Sequence, residues 1–360
     1  VSSGGSATST TINNGGWQNV YSGGSATSTT INSGGRQHVS SGGSATSTTI
    51  NGGGLQIVSS GGSATSTTIN SDGQQTVFSG GSATSTTING GLQTVSRGGS
   101  ATSTTINGGR QDVYSGASAT STTINDGWQN VYSGGSATST TINGGRQDVF
   151  SGGSATSTTI NGGWQDVSIG GSATSTTINS GGGQAVYSGA SATSTTINGG
   201  LQVVSRGGSA TSTTINSGGR QHVSGGGSAT STTINSGGWQ AVYSGGSATS
   251  TTINGGLQYV SRGGSATSTT INSGGWQAVY SGGSATSTTI NSDGQQNVFS
   301  GGSATSTTIN AGLQYVSSGG SATSTTINGG WQYVSSGGSA TSTTINSAGQ
   351  QNVSSGGSAT

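Results

Sequence analysis

The sequence has no cysteine, no lysine and no glutamate, and only 26% of its 360 residues are hydrophobic. Without cysteine, neither disulfides nor thiolate metal sites can staple a fold, so stability must come from elsewhere. So small an apolar fraction excludes an ordinary packed core. Charge is equally scarce, with seven arginines against six aspartates and a formal net charge of +1. There is therefore no basic stripe to track phosphates and no acidic tail, and no nucleic-acid partner is expected. No run of about 18 apolar residues and no charged-then-apolar leader occurs, so neither a membrane span nor a signal peptide is expected within residues 1–360.

Glycine is abundant instead, at 74 residues, among many serines and threonines. That composition usually marks a flexible linker, but disordered chains tend to be rich in charge, and this one is not. Repetition decides the matter. The block SATSTTIN recurs unchanged nineteen times, from Ser6–Asn13 to Ser339–Asn346, and its isoleucines (Ile12, Ile31, Ile50, Ile69, Ile88 and onward to Ile345) fall 18 or 19 residues apart. This step is too short for a helical-pair repeat and suits one turn of a β-solenoid.

Each period joins a GGxQxV segment, such as Gly15–Val20, to a GG-SATSTTI segment, such as Gly23–Ile31. Glycine doublets reach φ > 0 freely and mark corners; alternation within QxV and TxI marks strands. From valine to the next isoleucine is always eleven residues, whereas isoleucine to valine is seven (Ile88 to Val95) or eight (Ile12 to Val20). All length variation thus sits in one corner, as ordered coils require. Period-two alternation turns Val20, Gln18, Ile12 and Thr10 inward, with Ala7 joining them after a bend at Thr8-Ser9, and turns Trp17, Asn19, Tyr21 and Thr11 outward. The inward columns are uniform, while the Trp17 column accepts Trp, Arg, Leu, Gln and Gly. One valine and one isoleucine per coil cannot hold 18 or 19 residues in place. Backbone ladders between coils must contribute, together with stacked Gln18, Gln37 and Gln56 passing amide hydrogen bonds along the array and a second ladder of Asn13, Asn32 and Asn51.

The coupled signature GGxQxV…GGxAxxTxI, carried for example by Gly34–Val39 followed by Gly42–Ile50, resembles the repeat of the AIDA-type self-associating autotransporter adhesins, and the likeness covers essentially the whole chain. The resemblance implies an all-β fold, a single right-handed parallel β-helix (β-solenoid) of about nineteen coils. It further implies export through an outer-membrane β-barrel translocator, extracellular display on the bacterial outer-membrane surface, adhesion to host cells or their glycans, and self-association with like chains on neighbouring cells. Some members carry heptose on Ser and Thr, so a heptosyltransferase is an implied partner. Residues 1–360 are expected to form one continuous solenoid, a segment of a longer passenger whose contact with the membrane runs only through a C-terminal barrel outside this sequence.

Candidate sites follow from the outward columns. Ser9, Thr11, Ser28, Thr30, Ser47 and Thr49 begin long hydroxyl rows that would offer regular O-glycosylation acceptors, although such residues also simply suit β-structure and solubility. Trp17, Trp128, Trp164, Trp239, Trp276 and Trp331 share one column; Tyr21, Tyr132, Tyr243 and Tyr280 share another. These rings would stack on sugars or meet a neighbouring solenoid, or else merely cover the backbone of adjacent coils. Arg36, Arg110, Arg146 and Arg220 interrupt the tryptophan column and add ionic contacts.

Rival readings are few. Asp148 and Asp166 occupy the same column in adjacent coils and superficially resemble a glycosidase pair, so a polysaccharide-acting β-helix enzyme is one alternative; on a repetitive face without long loops, a solvated surface pair is the plainer expectation. The other carboxylates, Asp72, Asp112, Asp126 and Asp293, are dispersed. His38 and His222 read as exposed variants of the Asn19 column. No catalytic residue, metal site or cofactor is expected. The glycine-rich turns lack both a P-loop lysine and the aspartates of a calcium-binding repeat. A straight Thr8–Thr10 segment would instead give the threonine arrays of an ice-binding solenoid; the AxxT spacing of the family predicts a bend there. The reading that follows is a non-catalytic adhesive or autoaggregating stalk with multivalent contacts along its sides.

Overall fold

The computed structural model describes residues 1–346 and 348–360. Among them there is no helix; short strands recur three to a coil, and three parallel sheets wind the chain into a β-solenoid of about nineteen turns. Two compact units, Val1–Thr176 and Thr177–Thr360, are built from the same coil. In the first, a representative coil has strands Ser25–Thr27, Thr30–Ile31 and Arg36–Val39. Like residues pair with like in the coil that follows: Ala26 with Ala45, Ile31 with Ile50 and Gln37 with Gln56. The second unit repeats the arrangement, with Ala248 opposite Ala266, Ile253 opposite Ile271 and Gln258 opposite Gln277.

Three corners turn the chain, each with its own chemistry. At Asn13–Gly16 the amide of Gly16 donates to Asn13 O (2.8 Å) and Gly15 takes φ 74°, a turn whose third residue favours glycine. At Tyr21–Gly24 both Ser22 (φ 50°) and Gly23 (φ 74°) are left-handed, and Gly24 N donates to Tyr21 O at 2.9 Å. The third corner is the expected bend. In every copy of SATSTTIN the serine of the Ser9 column stands at φ between 55° and 58°. This single left-handed residue interrupts the alternation, which is why Ala26 and Thr29 both face inward although three residues separate them. Glycine was expected to mark the corners, and serine takes left-handed positions at two of them as well.

The interior is thin and fully dry. The valine, alanine and isoleucine columns of the inner coils are 0–1% exposed from Ala26 through Val334, apart from a few alanines at variable positions. Between them runs a polar ladder. Gln37 Nε2 donates to Gln18 Oε1 (2.7 Å) and to Thr29 Oγ1 (3.2 Å), while Thr29 Oγ1 donates to Gln18 Oε1 at 3.4 Å. Gln37 Oε1 in turn accepts from Gln56 Nε2 (2.7 Å) and Thr48 Oγ1 (3.4 Å), so the Gln37 amide uses both protons and both lone-pair directions, and the Thr29 hydroxyl both donates and accepts. A second ladder runs along the corner: Asn32 Nδ2 to Asn13 Oδ1 (2.8 Å), then Asn51 Nδ2 to Asn32 Oδ1 (3.0 Å).

The register tolerates both coil lengths. Gln75 pairs with Gln56, nineteen residues earlier, and with Gln93, eighteen later, because the extra residue lies in the Asn–Gly corner. Removing Ser33 converts the Asn32–Gly35 corner to the short form found at Asn89–Gly91 and is expected to change stability by less than about 1 kcal/mol. Removing Gln37 should abolish the fold locally, because a one-residue shift sends every side chain of the strand to the opposite face. Urea denaturation of the two deletion variants, followed by circular dichroism, checks the contrast.

Candidate functional site

The outward surface divides into a hydroxyl face and a mixed aromatic and charged face. On the first, Ser9, Ser28 and Ser47 are exposed at the tip of the bend, whereas Thr30 and Thr49 lie in a strand, half-buried between identical neighbours; only Thr11, in the first coil, is exposed. The structure thus separates the paired candidates, and the serines are the more accessible. Their conformation is informative as well. A non-glycine residue at φ near 56° costs free energy that glycine would avoid, yet serine occupies the position in all nineteen copies. At the Ser22 corner the equivalent left-handed residue varies freely, with Arg97, Ile169, Arg206, Gly225 and Arg262 standing in for serine. The same bend removes the geometry of an ice-binding array, because Thr27 faces outward while Thr29 is buried in the glutamine ladder.

The second face is the outside of the QxV strands. Its positively charged and carboxylate side chains do not stand free, and two expectations need correction. Asp148 and Asp166 are not a solvated pair: Arg146 binds both, through Nε to Asp148 Oδ1 at 2.5 Å and through its terminal nitrogen to Asp166 Oδ2. A guanidinium from the neighbouring column reaches across because residues 146 and 148 flank the inward Gln147. Burial raises the Asp166 carboxyl above the usual carboxylate range, with Asp148 adding to the rise and Arg146 opposing it. Both carboxylates are engaged by one cation, which removes the separate acid and nucleophile that glycoside cleavage needs. Asp112, 1% exposed, is paired with Arg110 at 2.8 Å and accepts from Asn130 Nδ2 at 2.8 Å. No group of three or more metal-ligating side chains occurs among the described residues.

Nor are the histidines exposed substitutes. His38 is half-buried and bonds Ser59 Oγ at 3.1 Å. His222 packs edge-on against Trp239 (5.2 Å between centroids) and Tyr243 (6.1 Å). Burial, reinforced by the charge of Arg220, lowers its pKa. A depressed folded-state value means that His222 contributes stability above its unfolded value of about 6.5, and that this contribution is lost as pH falls through the lower folded value. His222→Asn, which places there the residue found at Asn19, should therefore flatten the acid limb of stability below about pH 6.5; thermal melts of both proteins from neutral pH downward test it.

Aromatic residues pack largely on one another. Trp17 and Trp128 remain half exposed or more, at 59% and 51%, and Trp164, Trp331 and Tyr21 are also open, but Tyr132, Trp239, Tyr243, Trp276 and Tyr280 are half-buried. Tyr114 stacks on Tyr132 at 4.5 Å with the rings 8° apart, and Tyr132 meets Phe150 edge-on. Arg36 lies over Trp17 at 5.0 Å. Strand spacing explains this: rings in register on parallel coils are brought to stacking distance without further adjustment. In the second unit a continuous run forms, Trp239 to Tyr259 (5.8 Å), Tyr259 to Trp276 (5.8 Å) and Tyr259 to Tyr280 (6.4 Å). Tyr259 is a residue sequence reasoning overlooked, because its column mixes Asn, His, Thr, Asp, Ala, Ile and Val with tyrosine at only three positions, Tyr259, Tyr315 and Tyr333. The available signal was the succession Trp-Gln-Ala-Val-Tyr, Leu-Gln-Tyr-Val-Ser, Trp-Gln-Ala-Val-Tyr, in which bulk alternates between columns from coil to coil.

No curated protein sequence matches the chain. One solved structure, "Crystal structure of TibC-catalyzed hyper-glycosylated TibA55-350 fragment", is 41% identical over 99% of this chain and 99% of that one, with a TM-score of 0.39. Residues 1–54, 32–73, 142–182, 170–219, 197–238, 206–256, 223–275 and 262–313 match the AIDA family, described as "Adhesin of bacterial autotransporter system, probable stalk". With more than half of its length matched in that way, the chain belongs to the AIDA family of autotransporter adhesin stalks.

Proposed function

We propose that this chain is a non-catalytic, surface-displayed stalk, a single right-handed solenoid over residues 1–360, that carries O-linked sugars on one edge and self-associates through its aromatic and charged face. The observation that carries the reading is the Ser9 column. An exposed serine, held at a backbone angle that glycine would adopt more cheaply, recurs on every coil at about 4.8 Å intervals. A hydroxyl kept there against a conformational cost is in use, and a glycosyltransferase reading along the edge meets the same acceptor in the same geometry each time. The hyper-glycosylated state of the similar TibA fragment supports this, and heptose is the sugar that the family resemblance suggests.

Self-association rests on multivalency. Individual contacts through Trp17, Trp128, Trp164 or Trp331 are weak, but their repetition along a stiff array multiplies affinity once two molecules lie side by side. No carboxylate or histidine is called upon for chemistry, in keeping with the engagement of Asp148 and Asp166 by Arg146. Attachment to an outer membrane through a C-terminal barrel, and contact with host surfaces, belong to the same reading.

Sedimentation at low and high salt, with and without glycosylation, tests it. Reversible assembly that weakens with salt without vanishing is expected, because the ionic contacts are screened and the aromatic ones are not. A monomer under every condition removes the self-association reading. Intact mass from the native host, compared with the bare 34.2 kDa chain, tests the glycoprotein reading; an unmodified mass removes it.

A further inference from the structure

The charges of the two units differ in kind. In Val1–Thr176 the arginines of the tryptophan column meet aspartates or aromatic rings. In Thr177–Thr360 the arginines are Arg206, Arg220 and Arg262, against the single Asp293; Arg220 lies over the Trp239 ring at 5.7 Å, and among the described residues none of the three has a carboxylate within ion-pairing distance. Arg220 and Arg262 both edge a groove of about 750 Å³ on the outer face of the QxV strands, walled by Trp239, Tyr243, Tyr259 and Tyr280.

The groove is written into the register. Ala241 pairs with His222 on one side and Tyr259 on the other, so a methyl group stands where its neighbours carry rings. In the flanking column Leu257 lies between Trp239 and Trp276, and Ser261 pairs with Tyr243. Small residues thus form a floor and aromatic residues the walls. Two buried side-chain polar atoms among the described residues have no hydrogen-bond partner, and both belong to residues that line this groove: His222 Nε2 and Trp239 Nε1. Buried polar atoms are otherwise satisfied throughout the interior, so a pair of orphans in one depression marks a place where a ligand's polar groups are wanted.

We infer that this groove binds an acidic glycan, whose pyranose rings pack on the aromatic walls and whose carboxylates meet the guanidinium groups of Arg220 and Arg262 at separate points along it. The proposal rests on the reading of this face as a contact surface and gives it a partner. Each part of the ligand answers a feature of the site. The apolar face of a pyranose matches the aromatic rings that wall the groove, which are rigid and lose little entropy on contact. The indole N–H of Trp239 and the imidazole of His222 lie buried under the groove's lining without hydrogen-bond partners, and a ring hydroxyl, which both donates and accepts, satisfies either once a side-chain shift opens it. That imidazole is neutral near pH 7, since burial and Arg220 depress its pKa. A carboxylate suits two planar donors that have no carboxylate partner and face no competing negative charge in the groove.

The test uses the full chain made without glycosylation, titrated with oligogalacturonate and oligosialate and, as the neutral control, an oligogalactoside, with tryptophan fluorescence and calorimetry as readouts. Saturable binding of at least one acidic oligosaccharide is expected, at least tenfold tighter than the neutral control. Arg220→Gln should bring the acidic affinity down to that of the control. Trp239→Leu and Tyr259→Ala should each weaken it tenfold or more. All three replacements already occur at equivalent positions, as Gln74, Leu257 and Ala241, so the coil accepts them. Absence of saturable binding to either acidic probe, equal binding of the neutral oligomer, or full affinity in Tyr259→Ala overturns the proposal. Sedimentation on the same preparations separates the two readings: self-association without glycan binding defeats the groove alone, and loss of self-association in the unaltered chain defeats the contact face itself.

Discussion

Gln129→Leu should destabilise the first unit by about 2–5 kcal/mol, although leucine is close to glutamine in size and the site is fully buried. Four hydrogen bonds vanish together. Gln129 Nε2 donates to Gln111 Oε1 (2.7 Å) and Thr122 Oγ1 (3.0 Å), and Gln129 Oε1 accepts from Thr140 Oγ1 (3.2 Å) and Gln147 Nε2 (2.7 Å). Leucine restores none of these, and no water reaches the column to replace them. Gln111 Oε1 and Gln147 Nε2 are each reduced to one threonine partner. The cost is therefore that of stranded polar groups on two neighbouring coils and not of one lost contact. Gln129→Glu should be worse at neutral pH and should recover in acid: burial holds the new carboxyl above its unfolded value of about 4, so stability is greatest below that value and is lost as pH rises through the folded one. Urea midpoints at two pH values, with hydrogen exchange at residues 111–147 as the local readout, distinguish these outcomes. A change of less than about 1 kcal/mol for leucine would mean that the ladder is not what binds coil to coil.

Gly54→Ala carries the second large effect, about 1–3 kcal/mol, from a single methyl group. A Cβ built on Gly54 stands 2.6 Å from Ile31 O and 3.0 Å from Asn51 O, and both obstacles are backbone atoms of the stacked coil and of its own turn. No rotamer relieves either contact, so coil and corner must separate. Every copy keeps glycine at this position. The other buried corner glycine makes the comparison. A Cβ built on Gly62 stands even nearer backbone, 2.2 Å from Val39 O, yet its counterparts Ala117 and Ala190 are buried at 3% and 1%, so the stacked coil gives way there and accommodates alanine. Gly62→Ala should accordingly cost less than Gly54→Ala, and thermal melts of the two variants side by side measure the difference. Equal losses would show that crowding at the Asn–Gly corner is not what preserves its glycine.

Much of this architecture is legible in the sequence because a solenoid makes local pattern and global contact the same thing. Once Gln18, Gln37 and Gln56 recur in step, their stacking follows from the period alone, and so do the inward valines and isoleucines and the corner that absorbs the nineteenth residue. The bend at Ser9 was legible as well, through the spacing between alanine and threonine, which two-residue alternation cannot join without a break. What the period does not reveal is contact between different columns. The threonine that completes the glutamine ladder comes from another strand of the coil, and only the width of the interior shows that Thr29 reaches Gln18 and Gln37. The bridging of Asp148 and Asp166 by Arg146 is of the same kind, as is the burial of His222 among rings. Those side chains occupy variable positions, so their surroundings depend on which residues happen to be neighbours along two directions of the sheet. The candidate contact residues were found as columns; the groove at Ala241 emerges only when adjacent columns are read together. The left-handed serine of the Ser22 corner was missed for a simpler reason, since glycine stands beside it and is the usual occupant of that region.

The account as a whole requires like residues on successive coils to lie directly over one another, and the absence of cysteine from the chain permits a clean test. Ser28 and Ser47 lie one residue beyond the registered pair Thr27 and Thr46, at neighbouring bends. Their Cα atoms should be about 4.8 Å apart, within the range a disulfide spans. On mild oxidation the Ser28→Cys/Ser47→Cys variant should form an intramolecular disulfide rapidly and in high yield. The Ser28→Cys/His38→Cys variant, whose two positions are closer in sequence but lie on different faces of the coil, should not. Failure of the first pair to cross-link, or equal yields from both, would contradict the stacked, in-register solenoid.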